Sequence, residues 1–225
     1  MSQVFDSPQL LSLLEARILG VLIEKEKTTP DAYPLTLNSL SSGCNQKSAR
    51  EPVISVADAE VQAALEELRA RVLVLETYGA SGRVLRYAQN FAKVYAVPTA
   101  GVALLATLML RGPQTVSELR ANSERLYHFE DSSSVEAYLE ELAARNGGAL
   151  VSKLPRQAGA REQRWAHLLC GEPALPAASE AATRGSTSAQ AELAERVSRL
   201  EDEVAELRLA LKTLVDASAQ TPAAS

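Results

Sequence analysis

Three short fragments from the first half of the chain return in the second half, in the same order and at nearly constant offset. Leu65-Glu66-Glu67-Leu68 reappears as Leu139-Glu140-Glu141-Leu142, 74 positions later. Arg86-Tyr87-Ala88 reappears as Arg164-Trp165-Ala166 after 78 positions, and Thr36-Leu37-Asn38-Ser39-Leu40 as Thr115-Val116-Ser117-Glu118-Leu119 after 79. Chance supplies one Leu-Glu-Glu-Leu easily, but three fragments in register point to a duplication. The order of elements within one copy therefore constrains the whole fold.

In the first copy, Leu10, Leu13, Leu14, Ile18, Val21 and Leu22 recur at helical spacing and predict a helix over Gln9–Lys27, with these residues on its apolar face. Pro30 and Pro34 break it, and a short helix follows from Thr36 to near Gly43. A polar connection over 45–55 leads to a third helix, Asp58–Arg71, with Ser55 at capping-box spacing from Asp58. Val72–Tyr78 and Arg83–Gln89 predict strands joined by Gly79-Ala80-Ser81-Gly82, a hairpin signal. The second copy repeats the order. A helix over Thr99–Arg111 stops at Gly112-Pro113, Thr115 caps a short helix, and Ser133 with Glu136 opens a third that ends at Arg145. Strands at Leu150–Leu154 and Glu162–Leu169 complete it. Three helices followed by a hairpin is the order of a winged helix. The expected class is mainly α with small β-hairpins (α+β), with two tandem winged-helix domains at 8–92 and 97–170.

Beyond them, residues 171–190 turn to Pro, Ala, Ser, Thr and Gly, the composition of a flexible linker, and 217–225 read as a disordered tail. Between these lies a coiled-coil segment, 191–216, whose seam is Leu193, Val197, Leu200, Val204, Leu207, Leu211 and Leu214. Val197, Val204 and Leu211 take position a and the other leucines position d, a choice that favours a parallel two-stranded coil. Arg196 would face Glu201 of a partner helix, and Glu203 would face Arg208. The alternative is one amphipathic helix folding back, which needs a wider apolar stripe. The coil predicts a homodimer.

Tyr33-Pro34-Leu35-Thr36-Leu37-Asn38-Ser39-Leu40 continues through Cys44-Asn45-Gln46-Lys47-Ser48-Ala49-Arg50-Glu51-Pro52-Val53. This segment resembles the signature of the bacterial YceH-like family, and Arg161-Glu162-Gln163-Arg164-Trp165-Ala166-His167-Leu168 resembles its closing motif. The resemblance spans roughly residues 8 to 170. It implies a tandem winged-helix fold and carries over no catalytic or ligand-binding residue.

No run approaches the roughly 20 apolar residues of a membrane span, and the first residues lack a signal peptide's basic start, so the chain reads as cytoplasmic. Cys44 and Cys170 fit a reducing compartment as inert thiols. His128, His167 and the cysteines form no metal-ligand pattern, and neither a phosphate-cradling nor a nucleophile-elbow motif occurs. No catalytic residue, metal or cofactor is expected. His167 reads as structural or as a polar group facing phosphate.

The winged-helix order, common among regulators, points first to a DNA-binding, transcription-regulator-like protein, and the partner classes are double-stranded DNA and an unidentified protein. Net charge is −5 and pI about 5.3. The third helix of each unit, the usual major-groove reader, carries Asp58, Glu60 and Gln62, or Glu136 and Glu140, at early exposed positions. Carboxylates at a phosphate-lined groove are repelled. Cations that could meet nucleic acid lie elsewhere: Lys47 and Arg50 in the first connection, and Lys153, Arg156, Arg161 and Arg164 around the second hairpin. The competing reading is a protein-interaction adaptor using the acidic helices and the coil.

Overall fold

A computed structural model describes residues 10–78, 82, 84–157 and 159–173. The linker, the heptad seam from Leu193 to Leu214 and the terminal tail lie outside the described residues. Within them the chain is mainly helical with two small antiparallel hairpins. The first half runs α1 (Leu13–Thr28), a 3-10 turn (Pro30–Ala32), α2 (Leu37–Cys44), α3 (Asp58–Ala70), β1 (Val74–Tyr78) and β2 (Leu85–Gln89). A short α4 (Phe91–Val94) leads to the second half: α5 (Thr99–Arg111), α6 (Val116–Ser123), α7 (Ser132–Ala143), β3 (Val151–Lys153) and β4 (Trp165–His167).

The internal repeat has a structural counterpart in hydrogen bonds. Leu35, just before α2, exchanges both backbone bonds with Tyr87 of β2, at 3.1 and 2.8 Å. Gln114, just before α6, does the same with Trp165 of β4, at 3.0 and 2.7 Å. Each hairpin thus gains a one-residue third strand. Thr36 and Thr115 then cap α2 and α6, their hydroxyls accepting from the third helical N–H. Arg86 donates to the Pro34 carbonyl at 2.7 Å, and Arg164 to the Pro113 carbonyl at 2.8 Å. The same side chain latches the same turn in both halves.

Both halves share one continuous apolar cluster. Its axis is α1 against α5, where every residue from Glu15 to Ile23 and from Ala100 to Leu110 is buried. Helices this enclosed need close contact, and Gly20 provides it: a Cβ there would lie 2.9 Å from Leu110. Gly112, at φ +70°, ends α5 in a conformation that glycine adopts without strain.

Several local expectations change. Helix α1 begins at Leu13 because Ser12 and Glu15 form a capping box, so Leu10 and Leu13 are exposed rather than on the buried face. Ser55 does not cap α3; Glu60 accepts the Ala57 N–H at 2.8 Å instead. At α7 the cap is Asp131, whose carboxylate accepts the Ser134 N–H, while Glu136 of the expected Ser133 pair turns to Lys153. Strands are two to five residues shorter than their alternation because only the paired stretch is regular.

Candidate nucleic-acid interface

The six cations read from the sequence do not form one set. Arg50 is a correction. Its side chain has no exposed surface, and it makes a two-pronged pair with Glu24 of α1 at 3.0 and 2.9 Å. It also donates to the Gly43 and Ala49 carbonyls at 3.2 and 2.9 Å. Burial pushes the Glu24 carboxyl up, but hydrogen bonds and charge from Arg50, with Lys25, outweigh it and hold the group below its ordinary value. A guanidinium saturated this way has nothing to offer a phosphate.

Arg17, not foreseen from the sequence, is a second buried guanidinium beside the first. It donates to the Cys44 carbonyl at 3.3 Å and the Pro52 carbonyl at 2.6 Å. Asn45 closes the connection by exchanging two bonds with Val56, at 2.9 and 2.8 Å. The Glu51 N–H reaches the Leu110 carbonyl of α5 at 2.8 Å. The signature segment from Cys44 to Val53 is thus a latch between α1, α2 and α5, with Lys47 alone of its cations exposed.

Around the second hairpin, Lys153 pairs with Glu136 at 3.0 Å and sits 5.3 Å from the Trp165 ring centre. Arg164 is held by Glu118 at 3.0 Å as well as by Pro113. Arg156 and Arg161 are exposed and make no ion pair among the described residues. Arg164 also borders a polar cleft of about 340 Å³ with Arg50, Arg111, Glu51 and Glu118, three arginines against two glutamates.

The chemistry-bearing groups are quiet as placed. Burial pushes the Cys44 thiol up to about 12 and the Cys170 thiol up to about 11, far from a reactive thiolate. Burial pulls His167 down to about 4, so it is neutral near pH 7 and is not a cation facing phosphate. His128 is exposed and bonds Glu124 at 2.6 Å. Among the described residues no group of three His, Cys, Asp or Glu side chains could hold a metal ion, and no helix is long and apolar enough to cross a membrane.

The third helices present the opposite charge. Asp58, Glu60, Glu66 and Glu67 of α3 are exposed, as are Glu140 and Glu141 of α7. Gln62, the one amide among the expected readers, is occupied by the Tyr87 hydroxyl at 3.1 Å and by Glu66 at 3.4 Å.

A family profile described as "Protein of unknown function, DUF480" matches residues 11–160, about two thirds of the chain. The chain belongs to this family. A UPF0502 protein of Dechloromonas aromatica is 55% identical over 208 residues, covering 92% of this chain and 96% of that protein. A UPF0502 protein of Acidovorax sp. is 52% identical over 211 residues, covering 92% and 93%. A third, from Leptothrix cholodnii, is 58% identical over 169 residues, 75% of each chain. The resemblance carried by Tyr33–Val53 and Arg161–Leu168 is confirmed by these matches. Likeness over 92% cannot fit within residues 1–173, so these DUF480 relatives share part of the C-terminal segment as well.

Proposed function

We propose that this DUF480 protein is a non-catalytic protein-interaction adaptor, built from two fused winged helices and paired into a homodimer by the heptad segment 191–216. The repeated order of helices, bridge residue and hairpin supports the winged-helix reading. The strict a/d seam supports the coil.

One observation carries the adaptor reading. The helices that would read DNA expose six carboxylates, whereas Arg50, Arg164 and Lys153, three of the six candidate cations, are bound to Glu24, Glu118 and Glu136. Such faces suit a partner surface rich in Lys and Arg, and repel a phosphate backbone. A second reading, duplex DNA held by Lys47, Lys153, Arg156 and Arg161, draws support from the exposed Lys47, Arg156 and Arg161, since Lys153 is paired with Glu136. A photo-crosslinking residue at Glu67 separates the two in cells. The adaptor reading expects one discrete, nuclease-resistant protein adduct that Glu66→Lys abolishes; an adduct removed by nuclease overturns it.

A further inference from the structure

Three of the eight exposed large apolar side chains among the described residues, Leu13 (75%), Leu10 (59%) and Val72 (53%), lie where the start of α1 meets the end of α3, apart from Leu75, Tyr78 and Val84 at the first hairpin. Leu11 is bonded to the Leu169 carbonyl at 2.7 Å, Leu10 lies against Gly171, and the Arg71 guanidinium reaches the Leu10 carbonyl at 3.5 Å and Glu15 at 3.6 Å. Val72 follows directly, at φ +57°, a conformation that a β-branched residue adopts only under strain. The chain leaves the described region at this same end, at Pro173, on its way to the heptad segment.

We infer that this patch is a self-complementary surface for a second copy of the chain. The inference rests on the pairing of heptad segments proposed above, and it adds a contact between the folded regions themselves. A two-fold contact uses the same patch on both copies, and Leu10, Leu13 and Val72 give it an apolar centre, with the largely buried Arg71–Glu15 pair holding Leu10 in place beside it. The tether supplies the rest of the argument. A pair of coiled segments, each about twenty residues from this patch, holds two patches at an effective concentration on the order of millimolar, so a weak contact is populated. Side chains 75% and 59% exposed in one copy find their cover in the other.

The test is sedimentation equilibrium of the full chain. Leu10→Ser with Leu13→Ser should raise the dimer Kd at least threefold, about tenfold being expected, while leaving the far-ultraviolet spectrum and melting curve in place. A Kd changed less than threefold overturns the surface. Val204→Asp reports separately on the heptad segment. A wild-type dimer abolished by Val204→Asp but indifferent to the leucine changes refutes the surface and leaves the coil standing, and a wild-type monomer refutes both. Residues 1–9 are the rival occupant. In a Cys170→Ser background, Phe5→Cys with Leu13→Cys closing an intramolecular disulfide overturns the proposal, while an intermolecular disulfide through Leu13→Cys supports it.

Discussion

In the first half residues 45–57 join α2 to α3, and in the second half residues 124–131 join α6 to α7. Both connections must be pinned to the same core, and they use different chemistry. The first is held by charge: Arg50 on Glu24, and Arg17 on two backbone carbonyls. The second is held by rings. Phe129 is fully buried, 4.8 Å from Tyr127 and 6.0 Å from Tyr138, with Arg120 donating from outside to the Phe129 and Glu130 carbonyls. A duplicated unit therefore keeps its hydrogen-bonded frame, the bridge residues and capping threonines, while its connections diverge. It also explains why a signature rich in polar residues lies in the first connection. Asn45 and Arg50 are there to close a latch between buried partners.

Breaking each connection tests that contrast. Phe129→Ala should cost about 4 kcal/mol, the usual loss for an emptied aromatic site, read by urea unfolding of the full chain. Arg50→Ala should cost about 3 kcal/mol, because it removes the two-pronged bond to Glu24, leaving only Lys25 beside it, and takes away the donor to the Gly43 and Ala49 carbonyls. Arg50→Ala with Glu24→Ala should recover part of that loss, whereas no recovery in the double variant would show that the pair is not what holds the loop.

Acid should weaken the second half through His167. Its pKa falls from 6.5 to about 4 on folding, so the unfolded chain takes the proton first as pH drops. Stability is fully present well above pH 6.5 and declines between 6.5 and 4, by about 3 kcal/mol. His167→Phe should flatten that slope, and an unchanged slope would move the effect to other groups. The smallest effects belong to the shared frame. Thr36→Ala and Thr115→Ala should each cost about 1 kcal/mol, slightly more for Thr115, whose Glu118 completes a capping box.

The sequence reveals the frame more readily than the latch. Helix α5 is legible to the residue because Gly112-Pro113 stops it, and α6 because Thr115 and Glu118 bracket its start. Arg50 is not legible, since an arginine in a polar loop looks solvated until Glu24, 26 positions earlier, is seen beside it. Arg17 is hidden for the same reason, a charge on an otherwise buried helix whose partners are distant carbonyls. Leu13 misleads in the other direction. It keeps the helical period of the core residues, yet falls in the first turn, beyond the reach of α5 and the rest of the cluster. Periodicity places a residue on a face, but only packing decides whether that part of the face is covered.

On the adaptor proposal, the acidic third helices and the sequestered arginines favour a protein partner over duplex DNA. The most direct measurement is fluorescence anisotropy of the full chain titrated into labelled random-sequence duplex at about 50 mM and then about 200 mM salt. No saturable binding is expected at the lower salt up to roughly 100 μM protein, the weak end of ordinary non-specific affinity. Micromolar binding at the lower salt that falls by about 10³ at the higher, and is lost with Arg156→Ala and Arg161→Ala, would contradict it.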